Sequence, residues 1–220
     1  MVMDRRAFLF AAPLALGGCA TSYEAGLAPA AASDRAIYSA VEGEPFPVPA
    51  IDLSTVAPKF RRREVAYSTM EPPGTVIVDV ADRHAYLVLE GGRALRYGVG
   101  VGKEEGFNFQ GEATIARKAA WPRWTPTPDM IRREPERYAQ YAGGLEGGSD
   151  NPLGPRALYL YRDGRDTLYR LHGTVEPWTI GTMVSSGCVR LLNQDIIDLY
   201  SRVPVGTRVI VLSVGGQADT

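Results

Sequence analysis

The chain has 220 residues, 45% of them hydrophobic and 22% charged, with a formal net charge of -1 at pH 7. That apolar content excludes global disorder and allows one domain of ordinary size plus flanking segments. Outside the short cluster Arg61-Arg62-Arg63, which reads as a solvated linker stretch, no basic run is present, and the broad basic footprint of a nucleic-acid binder is missing.

In chain order, the first feature is a leader. Asp4-Arg5-Arg6-Ala7-Phe8-Leu9 sets an arginine pair before an apolar run that ends near Leu16, too short to span a bilayer. The pair resembles a twin-arginine export signal, and Leu16-Gly17-Gly18-Cys19 resembles the end of a lipoprotein signal. Residues 1–18 are therefore expected to be an export signal, with Cys19 lipidated and the mature protein in the periplasm on a membrane anchor. A plain cleaved leader with an incidental Cys19 is the alternative. Residues 19–73, rich in Ala and then in Pro (Pro45, Pro47, Pro49, Pro58, Pro72, Pro73), read as a tether, of which Ile37-Tyr38 or Val65-Ala66-Tyr67 could pack on the domain.

The domain is expected over residues 74–213. Thr75 to Val80, Ala85 to Leu89 and Ala94 to Val101 read as strands, the last two joined by a turn at Gly91-Gly92. Trp121-Pro122-Arg123-Trp124-Thr125-Pro126 is a rigid loop, and a helix is expected between Pro128 and Tyr141. A long surface loop over Gly143 to Pro155 precedes strands at Ala157 to Tyr161 and Thr167 to Leu171. A helix follows with Asn193 as its N-cap and Ile196, Ile197, Leu199 and Tyr200 as its buried face; Arg208 to Ser213 closes as a strand. Residues 214–220 are a tail. The fold class is mainly β with one or two helices.

The chain has two cysteines and two histidines. In an oxidising compartment Cys19 and Cys188 could pair, but a lipidated Cys19 leaves Cys188 as a lone thiol, which is a liability unless it has a task. A buried structural cysteine is the competing reading. Nearby lie Leu171-His172-Gly173-Thr174 and Ser185-Ser186-Gly187-Cys188-Val189-Arg190. An imidazole can take the thiol proton, and a neighbouring cation favours thiolate. Backbone N–H groups of Ser186, Gly187 and Cys188 could converge on an oxyanion, and Arg190 could pair with a substrate carboxylate. His84, in the turn Asp82-Arg83-His84, reads as a surface residue. No familiar metal-ligand spacing is present, so no metal or other cofactor is expected. Ser185 or Ser186 is a weaker nucleophile candidate than the adjacent Cys188.

These two segments resemble the catalytic signature of the L,D-transpeptidase (YkuD-type) family of bacterial cell-wall enzymes. Trp121-Pro122-x-Trp124-Thr125-Pro126 and Asp150-Asn151-Pro152-Leu153-Gly154 are similar to other segments of that family. The resemblance implies a β-sandwich-like catalytic domain that attacks the L,D-peptide bond of a peptidoglycan tetrapeptide stem. On that reading Cys188 is the nucleophile and His172 the general base and later acid, with the Gly173 carbonyl orienting the imidazole. The Ser at position 186 departs from members that carry His there. Ser186 and Gly187 would form the oxyanion hole, Arg190 would hold the segment or the substrate, and Trp124 and Tyr159 would wall the substrate site. The implied partners are peptidoglycan stem peptides and an amine acceptor, either another stem or a protein to be anchored to the wall. The same site could serve an L,D-carboxypeptidase or hydrolase if water resolves the thioester, and a non-catalytic peptidoglycan-binding module would leave Cys188 unreactive.

Overall fold

The computed structural model describes residues 28–103, 109–185 and 187–212 of the chain. Arg5, Arg6, Cys19, Ser186 and the tail 214–220 therefore lie outside the described residues. Helix α1 (Ala28–Ile37) leads to strands β1 (Arg63–Ala66), β2 (Val76–Asp79), β3 (His84–Leu89), β4 (Arg93–Gly102) and β5 (Gly111–Ala120). Two short helices, α2 (Pro128–Arg133) and α3 (Pro135–Tyr138), precede the hairpin of β6 (Arg156–Arg162) and β7 (Arg165–His172). Strands β8 (Met183–Ser185) and β9 (Val189–Leu191), helix α4 (Asn193–Arg202) and strand β10 (Arg208–Leu212) complete the described part.

Val76, Ile77 and Val78 are all buried, which is why β2 shows a continuous β-branched run and not alternation. It pairs antiparallel with β3 and parallel with β10. From there the order runs β4-β3-β2-β10-β5-β6-β7-β9, and β9 pairs back onto β4, so the sheet closes on itself. Closure removes the exposed edges that an open sheet would present. β1 and β8 add to β4 outside this ring. The enclosed core includes Val76, Tyr97, Ile115, Leu158, Leu171 and Leu191, with Ile196 and Leu199 of α4 packed into it. The mainly β, sandwich-like expectation holds, with four helices among the described residues where one or two were expected. β5 was not foreseen: its sequence carries small and charged residues, and only Ala113 and Ile115 of the strand are buried.

The stretch from about residue 34 onward is not a free tether: Ile37-Tyr38 packs on the domain as allowed for, and the attachment extends well beyond that segment. Tyr38, Val56 and Phe60 form a second apolar cluster with Ile180 and Leu192 of the domain. Gly98 and Gly181 make a slot for Phe60: a Cβ at Gly98 would lie 2.2 Å from the Phe60 carbonyl oxygen, and one at Gly181 2.1 Å from its ring. Polar contacts fasten the same arm, with Glu44 accepting from Trp121 Nε1 (2.7 Å) and pairing with Arg156. The arginine triplet is likewise no solvated linker. Arg61 and Arg63 pair with Asp34, and Arg62 with Asp195 and Asp198.

Two local expectations also need correction. His84 is buried, with Nε2 3.0 Å from the Lys59 carbonyl oxygen, because the arm covers what would otherwise be a surface turn. The N-cap of α4 is Leu192, which makes no side-chain cap bond, and Asn193 is the first helical residue.

Candidate active site

His172 is the last residue of β7, and Cys188 stands immediately before β9. The two strands pair in parallel, with Leu171 opposite Val189 and His172 opposite Arg190. Side chains alternate along extended backbone, so Cys188 and Arg190 project to the same face as Arg170 and His172. Cys188 and His172 line one pocket of about 580 Å³, together with Trp124, Tyr138, Leu168 and Arg190.

His172 is 5% exposed, and its Nδ1 lies 2.6 Å from the Gly173 carbonyl oxygen. A carbonyl can only accept, so Nδ1 carries the proton and Nε2 is the basic nitrogen. Burial, reinforced by the cationic Arg190 and Arg170, pushes the imidazole down to about 3 against the opposing effect of the Gly173 carbonyl. His172 is thus neutral at pH 7 and able to accept a proton. Gly173 must lack a side chain, since a Cβ there would sit 2.4 Å from Asn193 Oδ1 and 2.9 Å from Pro155 Cδ.

Cys188 is partly exposed at the pocket, and its sulfur lies 3.7 Å from the Leu168 carbonyl oxygen. Desolvation pushes the thiol above its usual range, although Arg170 and Arg190 pull the other way. Burial therefore favours the thiol form of Cys188 over the thiolate. Ser185 organises the turn: its hydroxyl accepts from Gly187 N–H (3.1 Å) and donates to the Cys188 carbonyl (2.7 Å). Gly187 has φ 129°, a conformation that favours glycine. Its N–H, expected to face an oxyanion, is already engaged by the Ser185 hydroxyl.

Arg190 does not stand open for a substrate carboxylate. Its Nη1 lies 2.6 Å from Glu176 Oε2 and 3.4 Å from Thr179 Oγ1, tying β9 to the loop after His172. Trp124 does line the pocket, packed edge-on against Tyr138 and Tyr141. Tyr159 does not. It is 4% exposed and supports Arg170, whose guanidinium sits 4.6 Å from the ring centroid. Strand alternation turns Leu158 and Leu160 into the core and Tyr159 to the opposite face, where the guanidinium groups of Arg117 and Arg170 cover its ring.

Three contributors were not foreseen. Leu168 adopts φ 64° within an irregular stretch of β7, held by Asp166 Oδ1 accepting from its N–H at 2.8 Å. A left-handed conformation at a non-glycine residue costs about 1–3 kcal/mol and here aims a carbonyl at the thiol. Asn151, wholly buried, donates through Nδ2 to the carbonyls of Pro122 (2.9 Å) and Glu146 (3.0 Å) and so braces the loop before β6. Asn193 Oδ1 accepts from Thr174 N–H at 2.9 Å. Of the three, only Asn151 and Asn193 left a trace in sequence, as polar residues inside otherwise Gly-rich or helical segments.

A family model of the YkuD-type L,D-transpeptidase catalytic domain matches residues 73–211. The probable L,D-transpeptidase ErfK/SrfK of Escherichia coli (strain K12) is 37% identical over 141 residues, 62% of this chain and 43% of that protein. The probable L,D-transpeptidase YbiS of the same strain is 38% identical over 149 residues, 66% of this chain and 46% of that protein. The chain thus matches less than half the length of these curated relatives. A solved structure from Brucella melitensis, described as a probable carnitine operon oxidoreductase, is 48% identical over 73% of this chain and 99% of its own, with a TM-score of 0.49.

Proposed function

Because the chain belongs to the L,D-transpeptidase catalytic-domain family, we propose that it is a cysteine-dependent acyltransferase acting on peptidoglycan stem peptides. The observation that carries this reading is the pairing in one pocket of Cys188 with a neutral His172 whose Nδ1–H is held by the Gly173 carbonyl. In the acylation step His172 Nε2 takes the Cys188 thiol proton as sulfur attacks the carbonyl of the L,D-peptide bond of a tetrapeptide stem. The Cys188 N–H stabilises the oxyanion that forms. Collapse breaks the C–N bond, the departing D-alanine amine takes the proton from His172, and a thioester remains. An acceptor amine then attacks the thioester, passes its proton to His172, and the thiol is re-formed. No step requires a cofactor.

Arg190 and Glu176 fix the loop that follows His172, and Trp124 forms part of the substrate wall. The envelope location belongs to the same proposal, with residues 1–18 as the export signal and Cys19 as the lipid-bearing residue. Incorporation of labelled fatty acid into the full chain, lost in Cys19→Ala, supports the anchor; unchanged labelling overturns it. For the reaction, soluble protein is incubated with tetrapeptide muropeptides. Cross-linked dimers that vanish with Cys188→Ala support transpeptidation. Tripeptide monomers without dimers would reassign the site to hydrolysis, and turnover unaffected by the substitution would remove Cys188 from the reaction.

A further inference from the structure

We propose that Asn193 is a positioning residue for His172, acting through the single peptide unit that joins Gly173 to Thr174. The carbonyl of that unit accepts from His172 Nδ1 at 2.6 Å, and its N–H donates to Asn193 Oδ1 at 2.9 Å. Both ends of one rigid, planar group are thereby fixed. Rotation of the plane that broke the Asn193 bond would also carry the carbonyl away from the imidazole. The polar chain from carboxamide to peptide to imidazole also aligns dipoles, and each bond strengthens the next.

Several features set this contact apart from incidental packing. Asn193 is the first residue of α4, where a carboxamide would ordinarily serve the helix itself, yet the N-cap is Leu192 and no side chain caps that end. Its oxygen reaches the His172 loop only because two positions lack side chains. A Cβ at Gly173 would lie 2.4 Å from Asn193 Oδ1, and one at Gly154 2.6 Å from it. The first turn of α4 is itself anchored on its other side. Gln194 Nε2 donates to the carbonyls of Ser39 and Pro49, each at 2.9 Å, and Tyr38 Oη donates to Asp195 Oδ2. Asn193 therefore presents its oxygen from a fixed support. Without that acceptor the peptide N–H would be left unsatisfied in a partly buried setting, and the plane could turn to seek another partner.

The proposal rests on His172 acting as the base, but its primary test needs no substrate. Side-chain nitrogen NMR of histidine-labelled protein reports the tautomer of His172 directly. Wild type is expected to hold one tautomer, with the proton on Nδ1. Asn193→Leu, similar in size but without an acceptor, is expected to populate the Nε2–H tautomer as well. Asn193→Asp, which keeps an acceptor oxygen, is expected to restore the wild-type spectrum. The rate of Cys188 acylation should fall about tenfold to a hundredfold in Asn193→Leu, in kcat more than in KM. Should Asn193→Leu not fold, Asn193→Ala, which also lacks an acceptor, replaces it with the same expectations. A single Nδ1–H tautomer and an unchanged acylation rate in the folded variant overturn the proposal. Failure of wild type to acylate, with the tautomer shift intact, would instead count against the transpeptidase reading.

Discussion

Tyr38 Oη donates to Asp195 Oδ2 at 3.1 Å, joining the N-terminal arm to the helix that follows the Cys188 strand. Asp195 is wholly buried, and burial pushes its carboxyl up to about 7 even though Arg62 and the Tyr38 hydroxyl favour the charged form. A carboxyl raised above its unfolded value of 3.8 binds more protons folded than unfolded between those limits. Its contribution to stability is complete below 3.8 and is lost as pH rises through about 7. The depressed His172 has the opposite slope between about 3 and 6.5, so the Asp195 effect is read as a difference. Urea unfolding of wild type is expected to weaken relative to Asp195→Asn between about pH 4.5 and about pH 7.5. A pH-independent difference would show that Asp195 is charged throughout.

Phe60 seats the arm between Gly98 and Gly181. Phe60→Ala is expected to cost about 3–5 kcal/mol in urea unfolding, the usual penalty for emptying a buried aromatic site. Gly181→Ala should also destabilise, since Gly181 has φ 86° and the new methyl would meet the ring. Loss of less than about 1 kcal/mol in both would mean that the arm is only loosely attached.

The Arg190–Glu176 pair is part-exposed on the Glu176 side, so its direct worth in stability is small. Arg190→Ala is expected to change unfolding free energy by about 1 kcal/mol or less. Acylation of Cys188 should nonetheless slow by about tenfold or more, because the change removes a cation that favours the thiolate and frees the loop after His172. Equal acylation rates in the two proteins would separate Arg190 from the chemistry.

Desolvation holds Cys188 as a thiol. Ultraviolet thiolate absorbance is expected to be absent at neutral pH and to develop only above the ordinary cysteine range. A thiolate plateau reached in mildly acid solution would replace the proposed proton transfer with a preformed ion pair.

The parts legible in sequence were those whose signal is local. Val76-Ile77-Val78 announces a doubly buried strand, and the His172-Gly173-Thr174 and Ser185-x-Gly187-Cys188 segments flank two paired strands, β7 and β9. Beyond Ile37-Tyr38, the arm's attachment was missed because its Ala- and Pro-rich composition matches a tether, while the attachment depends on a few long-range contacts such as Phe60 with Gly98 and Glu44 with Arg156. Tyr159 was misplaced because it shares the face of Arg170 but is covered by the guanidinium groups of Arg117 and Arg170, long-range contacts with no local signal. Leu168 carries no pattern of its own, and Asn193 reads in sequence only as a helix N-cap. One acts through an unusual backbone angle and the other through a single hydrogen bond across 19 positions.

The most direct test of the account is intact-protein mass spectrometry after exposure to a tetrapeptide stem donor or a carbapenem, followed by peptide mapping. A single covalent adduct on Cys188, absent from Cys188→Ala and strongly slowed in His172→Ala, is the predicted result. An adduct on another residue, or none on Cys188 in folded protein, would contradict the central claim that this sulfur carries the acyl group.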